Sequence, residues 1–547
     1  MERRALLTAA AGLLATAATA TACTGGATRG SGGTGGSGGT GGSGGTSDKN
    51  GAGGGTTPTA TNSPATTSPG RGPSWDALAK GLDGYLVRPD DAAYETARQL
   101  YNTRFDSLRP AAIAYAEGED DIKECLAFAR THGTPVSIRG GGHSYAGWSS
   151  GDGRLVIDVT RLDSLRDAAT DGTVGAGARL ADVYRALADA GRTIPAGSCP
   201  TVGIAGLTLG GGHGVAARAY GLTCDSLASA TLITADGKRL TADAEQHTDL
   251  FWALRGAGNG NFGVVTELRF RTHPAPPAVA ASASWPWSKA DALLGAWQEW
   301  GPDQPDEIWS SLHLNAGPGG VAPTLSLSAF SLGGEDELKN ALDRLADGPG
   351  GPGPARFISV RQRDYEEAML IYAGCAGYTE EQCRLPGTTP GRGEQGALRR
   401  ETYSAASDFY VRPLSPAGRR ALISASETFT RLPASAGGSG SLTLTALGGA
   451  VNRVDPLATA FVHRGSRVLA QYIAGWEPGT SGSAQRAWLK STHGSMRRYA
   501  SGAAYQNYTD PTLPDWRTSY YGAAADRLAR LKTRYDPDRL FDFPQAL

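Results

Sequence analysis

Three glycine-rich segments constrain this chain more than any other feature: Arg139-Gly-Gly-Gly-His-Ser-Tyr145, Gly203-Ile-Ala-Gly-Leu-Thr-Leu-Gly-Gly-Gly-His-Gly214 and Arg255-Gly-Ala-Gly-Asn-Gly-Asn-Phe-Gly263. Glycine inside a helix or strand costs roughly 0.5–1 kcal/mol per residue, so such runs read as loops where the backbone closely approaches something else. The first follows directly on Pro135-Val-Ser-Ile138, a short apolar run of the kind that forms a buried strand. A strand opening into three glycines aims successive N–H groups into one concavity, which suits a phosphate or pyrophosphate. It is not the dinucleotide fingerprint, because Gly140-Gly-Gly142 lacks the G-x-G-x-x-G spacing and no helical pattern follows. Taken alone, the segment also fits an ordinary tight turn.

Around these loops the texture alternates. Val136 to Ile138, Leu155 to Val159 and Thr231 to Thr234 read as buried strands, and Leu180 to Ala190 as an amphipathic helix, which together indicate an α+β arrangement. The 547 residues allow two or three domains. Lys and Arg number 52 against 53 Asp and Glu, with no long basic run, which excludes a dedicated nucleic-acid binder.

The N-terminus reads as an export signal: Glu2-Arg3-Arg4 precedes an apolar, small-residue stretch ending at Cys23. The adjacent arginines admit the twin-arginine route, and Ala20-Thr-Ala-Cys23 resembles a lipoprotein cleavage box that would lipidate Cys23 and anchor the protein outside the membrane. Residues 24–74 carry no aromatic residue and no Val, Leu, Ile or Met, so they are expected to be a disordered tether. Beyond Cys23 stand Cys125, Cys199, Cys224, Cys375 and Cys383, an odd number that invites a special role for one of them. Cys125 lies at a core position of a helical pattern, Cys224 reads as core, and Cys375 with Cys383 could close a small disulfide.

The motifs together carry more than any one of them. Arg139 to Tyr145, then Gly197-Ser-Cys-Pro-Thr-Val-Gly203, Leu209-Gly-Gly-Gly-His-Gly214, Tyr220-Gly-Leu-Thr-Cys-Asp225, Leu250 to Glu267, Tyr505-Gln-Asn-Tyr-Thr-Asp510, Tyr520-Tyr-Gly522 and Lys532 to Phe541 resemble, in that order, the FAD-linked oxidases of the berberine bridge enzyme type. The resemblance implies a two-part FAD-binding domain of the vanillyl-alcohol oxidase (PCMH) type, residues 75–274 and 500–547, with an inserted substrate domain, residues 275–499, built on an antiparallel sheet backed by helices. It also implies FAD held by two covalent bonds, from His143 and Cys199. The chemistry agrees: positions 8α and 6 of an oxidised flavin are electrophilic, and imidazole and thiolate can attack them. By the same resemblance Arg139, Gly140, Gly141, Gly142, Ser144, Thr201, Val202, Gly203, Gly206, Gly210, Gly211, Gly212, Gly214, Asn261, Gly263, Val265 and Asn507 line the cofactor. No metal is expected, because His143, Cys199 and His213 lack ligand-pair spacing.

For catalysis the resemblance points to Tyr508 as base, with Tyr145 and Gln471 beside the reacting carbon. A tyrosine ordinarily titrates at about 10, so Tyr508 needs a positive neighbour or strong hydrogen bonds, and the sequence does not reveal which. His213 is expected to pack near the cofactor. Val202, three residues beyond Cys199, occupies the position where a valine accompanies oxidase behaviour in this family. The expected activity is oxidation of an alcohol, with a carbohydrate as the first substrate class and O2 as acceptor. The rivals are a tailoring oxidase or dehydrogenase of secondary metabolism and a flavin-fold protein kept as a binding scaffold.

Overall fold

The computed structural model describes residues 74–547. The export signal and Cys23 lie outside the described residues, as does the tether except for Ser74, whose hydroxyl caps the helix Trp75–Gly81. Two sheets share the first core. In one, Ala112–Tyr115 and Val136–Arg139 both pair in parallel with Leu155–Asp158, and Tyr85–Val87 closes the edge antiparallel. The helix Glu119–His132 crosses over from Ala112–Tyr115 to Val136–Arg139, which flank Leu155–Asp158, with acids Glu119, Asp120 and Asp121 in its first turn and Arg130 and His132 in its last. That helix buries Ile122, Cys125, Leu126 and Ala129 completely, so Cys125 is core as expected. The second sheet is antiparallel, with Val264–Arg271 between Asp171–Gly175 and Leu227–Ile233.

A separate antiparallel sheet of seven strands runs in the order Phe357–Arg363, Ala278–Trp285, Thr324–Ser331, Ile308–Ala316, Ser439–Ala446, Val468–Gly475, Tyr403–Tyr410. Strict alternation gives it two unlike faces. Ala281, Ala283, Leu312, Leu314, Leu325, Leu327, Leu442, Leu444 and Ala470 form a core with Trp297, Leu338, Leu342, Leu422, Phe429 and Trp488 of the helices behind. The other face looks toward the glycine loops; Ala278, Ala280, Trp309 and Phe330 on it join the first core, and serine and threonine hydroxyls lie on its cavity side. Between the two bodies, Cys375 and Cys383 form a disulfide with Cα atoms 5.6 Å apart.

The chain ends where it began. Leu528, Leu531, Phe541 and Leu547 belong to the first core rather than to the large sheet's. A buried charge fixes this return: Lys532 Nζ donates to Asn261 O at 2.8 Å, Phe541 O at 2.7 Å and Asp536 Oδ2 at 2.7 Å. Asp536, fully buried, also accepts from the Leu540 and Phe541 backbone amides. Removing one partner of a buried pair leaves an uncompensated charge, which costs about 3–5 kcal/mol. Lys532→Ala should therefore lower the unfolding free energy by about that amount in a denaturant titration. A loss well under 1 kcal/mol would mean that Asp536 does not depend on the lysine.

Candidate active site

A cavity of about 700 Å³ lies between the glycine loops and the hydroxyl-bearing face of the large sheet. Its floor exists because two loops touch backbone to backbone. A Cβ on Gly141 would strike the Gly203 backbone nitrogen, and a Cβ on Gly203 would strike that of Gly141. Only glycine at both positions lets the His143 loop and the Cys199 loop meet. Arg179 bridges backbone with Gly203, and the Leu180 amide donates to Val202 O at 3.0 Å, fixing the second loop on the helix Leu180–Ala188.

His143 and Cys199 both line this cavity. His143 Nε2 lies 2.8 Å from Thr201 Oγ1, and the Tyr101 ring stacks on the imidazole at 4.0 Å and 18°. Burial, and then the nearby Arg179, push the His143 pKa down to about 3, so the ring is neutral at ordinary pH. A neutral imidazole keeps a lone pair, which a nucleophile requires.

The expected catalytic side chains meet at one end. Tyr508 Oη is 2.8 Å from His213 Nε2, Gln471 Nε2 donates to Tyr145 Oη at 2.8 Å, and the Tyr145 and Tyr508 rings are 5.2 Å apart. One hydrogen-bond partner of Tyr508 is thus His213, whose imidazole is neutral at ordinary pH because burial pushes its pKa down to about 4. Its Nδ1 is buried without a partner. Because an orphaned buried N–H is rarer than an orphaned lone pair, we assign the proton to Nε2, which makes His213 a donor to the Tyr508 oxygen. The sequence placed His213 near the site only as packing; its contact with a residue 295 positions away had no local signal.

Gly140, Gly141, Gly142, Ser144, Val202, Gly203, Gly206, Gly214, Asn261, Gly263, Val265 and Asn507 line the cavity. Five of the expected lining residues do not. Arg139 turns beneath the glycine turn, where its guanidinium is paired with Asp158, both at most 4% exposed. Thr201 stands behind His143 as its hydrogen-bond partner. Gly210, Gly211 and Gly212 face protein: a Cβ there would strike the Asn507 side chain, the Phe461 ring and the Thr223 hydroxyl. The smallness of Gly210 seats Asn507 of the C-terminal segment instead, and the Gly212 amide donates to Tyr505 Oη at 2.9 Å. Asn507 and Asn261 also spend their side chains on protein, Asn507 on Leu207 O, Tyr505 and Asn259, Asn261 on Ala257 O and the Leu547 amide.

The opposite wall is a pleat of hydroxyls. Ser359, Ser282, Ser328, Ser311 and Thr445 stand directly across from one another on five neighbouring strands and line the cavity. The next rank brings His313 opposite Thr443 and Thr443 opposite Gln471. Ser282, Ser328 and Ser359 are part-exposed, and no hydrogen bond ties their hydroxyls to protein among the described residues. The period-two signal for this wall was present in Ala281-Ser-Ala-Ser284 and Leu325-Ser-Leu-Ser328, but nothing in it says which face meets a cavity.

Residues 110–243 match the FAD binding domain family and residues 504–547 the berberine and berberine-like family. The chain is 33% identical over 85% of its length to the FAD-linked oxidoreductase YgaK of Bacillus subtilis, of which it covers 97%. It is 30% identical to the chitooligosaccharide oxidase of Gibberella zeae, over 82% of this chain and 89% of that one. This protein belongs to the berberine bridge enzyme-like FAD-linked oxidases. The structure of a berberine bridge enzyme-like protein from Physcomitrella patens superposes with a TM-score of 0.76 at 31% identity, covering 86% of this chain and 98% of that one. The protein is an FAD-dependent oxidoreductase acting on CH–OH donors. A cavity of about 700 Å³ floored by the close-set Gly141 and Gly203, with His143 and Cys199 both in its lining, fits that cofactor.

Neutral buried histidines give a pH signature. His213, His313 and His463 are each pushed down to about 4 by burial, below their value in an unfolded chain. Between about pH 4 and 6.5 the unfolded state therefore binds more protons, and stability falls as the pH drops, by up to about 1.4 kcal/mol per pH unit for each histidine. Glu401, pushed up to about 7 by burial, and Asp182, also pushed up by burial, act in the opposite sense, while His143, pushed down to about 3, adds to the effect of the three histidines. The melting temperature at constant ionic strength should fall steadily from pH 6.5 to pH 4.5. A flat or rising profile would show that these histidines are charged in the fold.

Proposed function

We infer that the berberine bridge-like oxidase is a carbohydrate oxidase: it removes hydride from a sugar hydroxyl-bearing carbon and passes the electrons to O2. The observation that carries this reading is the facing of Tyr508 and Tyr145 by a wall of serine and threonine hydroxyls within one cavity. Hydroxyl side chains both donate and accept, which matches a polyhydroxylated ligand and mismatches an apolar one. Support comes from relatives with printed saccharide activities, the chitooligosaccharide oxidase above and the xylooligosaccharide oxidase of Thermothelomyces thermophilus, 30% identical over 89% of this chain. Export, expected from the N-terminus, goes with saccharides met outside the cell.

FAD, when bound, supplies the hydride acceptor and the route to O2. His143 and Cys199 would each hold it covalently, and the neutral His143 with its ring fixed by Thr201 and Tyr101 is arranged for that bond. Tyr508 takes the hydroxyl proton. The hydrogen bond from His213 offsets negative charge on the Tyr508 oxygen without placing a cation in the site. Gln471 holds Tyr145 in place to orient the same hydroxyl. Val202 lines the cavity, and its amide donates to Cys199 O at 3.2 Å.

Two experiments test this reading. A tryptic digest of the holoprotein should yield one FAD joined to the peptides of both His143 and Cys199, and His143→Ala or Cys199→Ala should each leave a single attachment; free, extractable flavin in both variants would remove the covalent assignment. Tyr508→Phe should bind flavin as wild type does yet slow anaerobic flavin reduction by saccharides about 100-fold or more, the usual loss for a general base. Reduction at the wild-type rate would move the base elsewhere.

A further inference from the structure

The cavity's charge is uneven. Its lining contains Arg361, Arg363, Arg154 and a single carboxylate, Asp542. Asp542 lies with Phe541 and Phe543, and Arg154 donates to its carbonyl, so this pair belongs to the end formed by the C-terminal segment. Arg361 and Arg363 lie on the edge strand of the large sheet, Phe357–Arg363, and alternate with its neighbours so that Ser359, Arg361 and Arg363 share the cavity face. Opposite them stand Ala280 and Ala278, whose small side chains leave the guanidinium groups room.

The two arginines differ. Arg363 pairs with Glu367 at 3.0 Å. Arg361 is exposed, and its one hydrogen bond is from Nη1 to the carbonyl of its own neighbour Val360, at 2.9 Å. No carboxylate pairs with it among the described residues. The nearby Glu335 is held by Lys339 at 2.6 Å and by the Gln362 amide at 3.1 Å. A guanidinium offers five donors in a planar fork that fits carboxylate or sulfate with two parallel bonds. Between Arg361 and the catalytic end run the hydroxyl ranks, and five strand-to-strand steps separate its strand from that of Gln471, about 24 Å across the sheet. That distance spans several sugar units.

Resting on the carbohydrate reading, we propose that the Arg361 end of the cavity binds an acidic group on the saccharide, so that the preferred substrate is an acidic oligosaccharide oxidised at one end and held by its anion at the other. Ser359, Ser282 and Ser328 contact the neutral units between. Arg363, already paired, adds positive potential without being the main ligand.

The test uses the holoenzyme and two matched compounds, a neutral xylo-oligosaccharide and the same oligosaccharide carrying one glucuronic acid at its non-reducing end. The acidic form should show a KM lower by about five-fold or more at an equal limiting rate of flavin reduction, since the contact is remote from the reacting carbon. Arg361→Gln should abolish the preference and Arg361→Glu reverse it, with the flavin spectrum and melting temperature unchanged. Raising salt from about 50 to about 500 mM should weaken the acidic compound alone. Calorimetric binding to the Tyr508→Phe holoenzyme should give the same ranking without turnover. Equal KM values in the wild type, or a preference that survives Arg361→Glu, would overturn the acidic site while leaving a neutral saccharide oxidase. Reduction by neither compound would overturn the saccharide reading and this site with it.

Discussion

The direct contact of Gly141 with Gly203 is the constraint on which the rest of the site depends. Two loops from distant parts of the chain approach so closely that neither tolerates a Cβ, and this approach sets His143 and Cys199 on one cavity. Contacts of this kind leave no slack, because close-packed interiors have none to give. The same logic operates one layer back. Gly210 and Gly212 admit the side chains of Asn507 and Thr223, so the glycines that look like cofactor loops are partly the seat of the C-terminal segment that carries Tyr508.

Electrostatics in this protein are arranged by burial more than by pairing. His143 and His213 sit beside the reacting groups and stay uncharged because their rings are buried, which keeps one as a lone-pair donor and the other as a hydrogen-bond donor to Tyr508. Two buried ion pairs, Arg139 with Asp158 and Lys532 with Asp536, lie beneath the cavity and hold its floor and its C-terminal wall. Charge that faces the cavity is found at its ends.

The large sheet joins these parts by having two faces. One is apolar and packs on helices, which makes the sheet rigid; the other presents hydroxyls at fixed spacing. Rigid strands hold side chains more precisely than loops do, so a long, flexible ligand can be read along its length. Chemistry and recognition thus come from different bodies and meet at the glycine loops where Gln471 bonds Tyr145 and the Tyr145 ring packs on Tyr403 of the sheet.

The sequence by itself determined what local rules encode. Short apolar runs placed the strands Val136–Arg139 and Leu155–Asp158, helical spacing placed Cys125 in the core, and the ordered motifs named the family, its cofactor and the tyrosines. Sequence spacing also suggested the Cys375–Cys383 disulfide, because those residues are neighbours in the chain. What only the tertiary structure decided involves partners far apart in sequence: His213 with Tyr508, Tyr101 with His143, and the rank of four serines and Thr445 drawn from five strands. A glycine's sequence context does not say whether a ligand or another loop fills the space a side chain would take, and in the fold protein fills it at Gly210 to Gly212, just as Asp158 takes the Arg139 guanidinium. Burial likewise belongs to the fold alone, and burial is what keeps the site's histidines neutral.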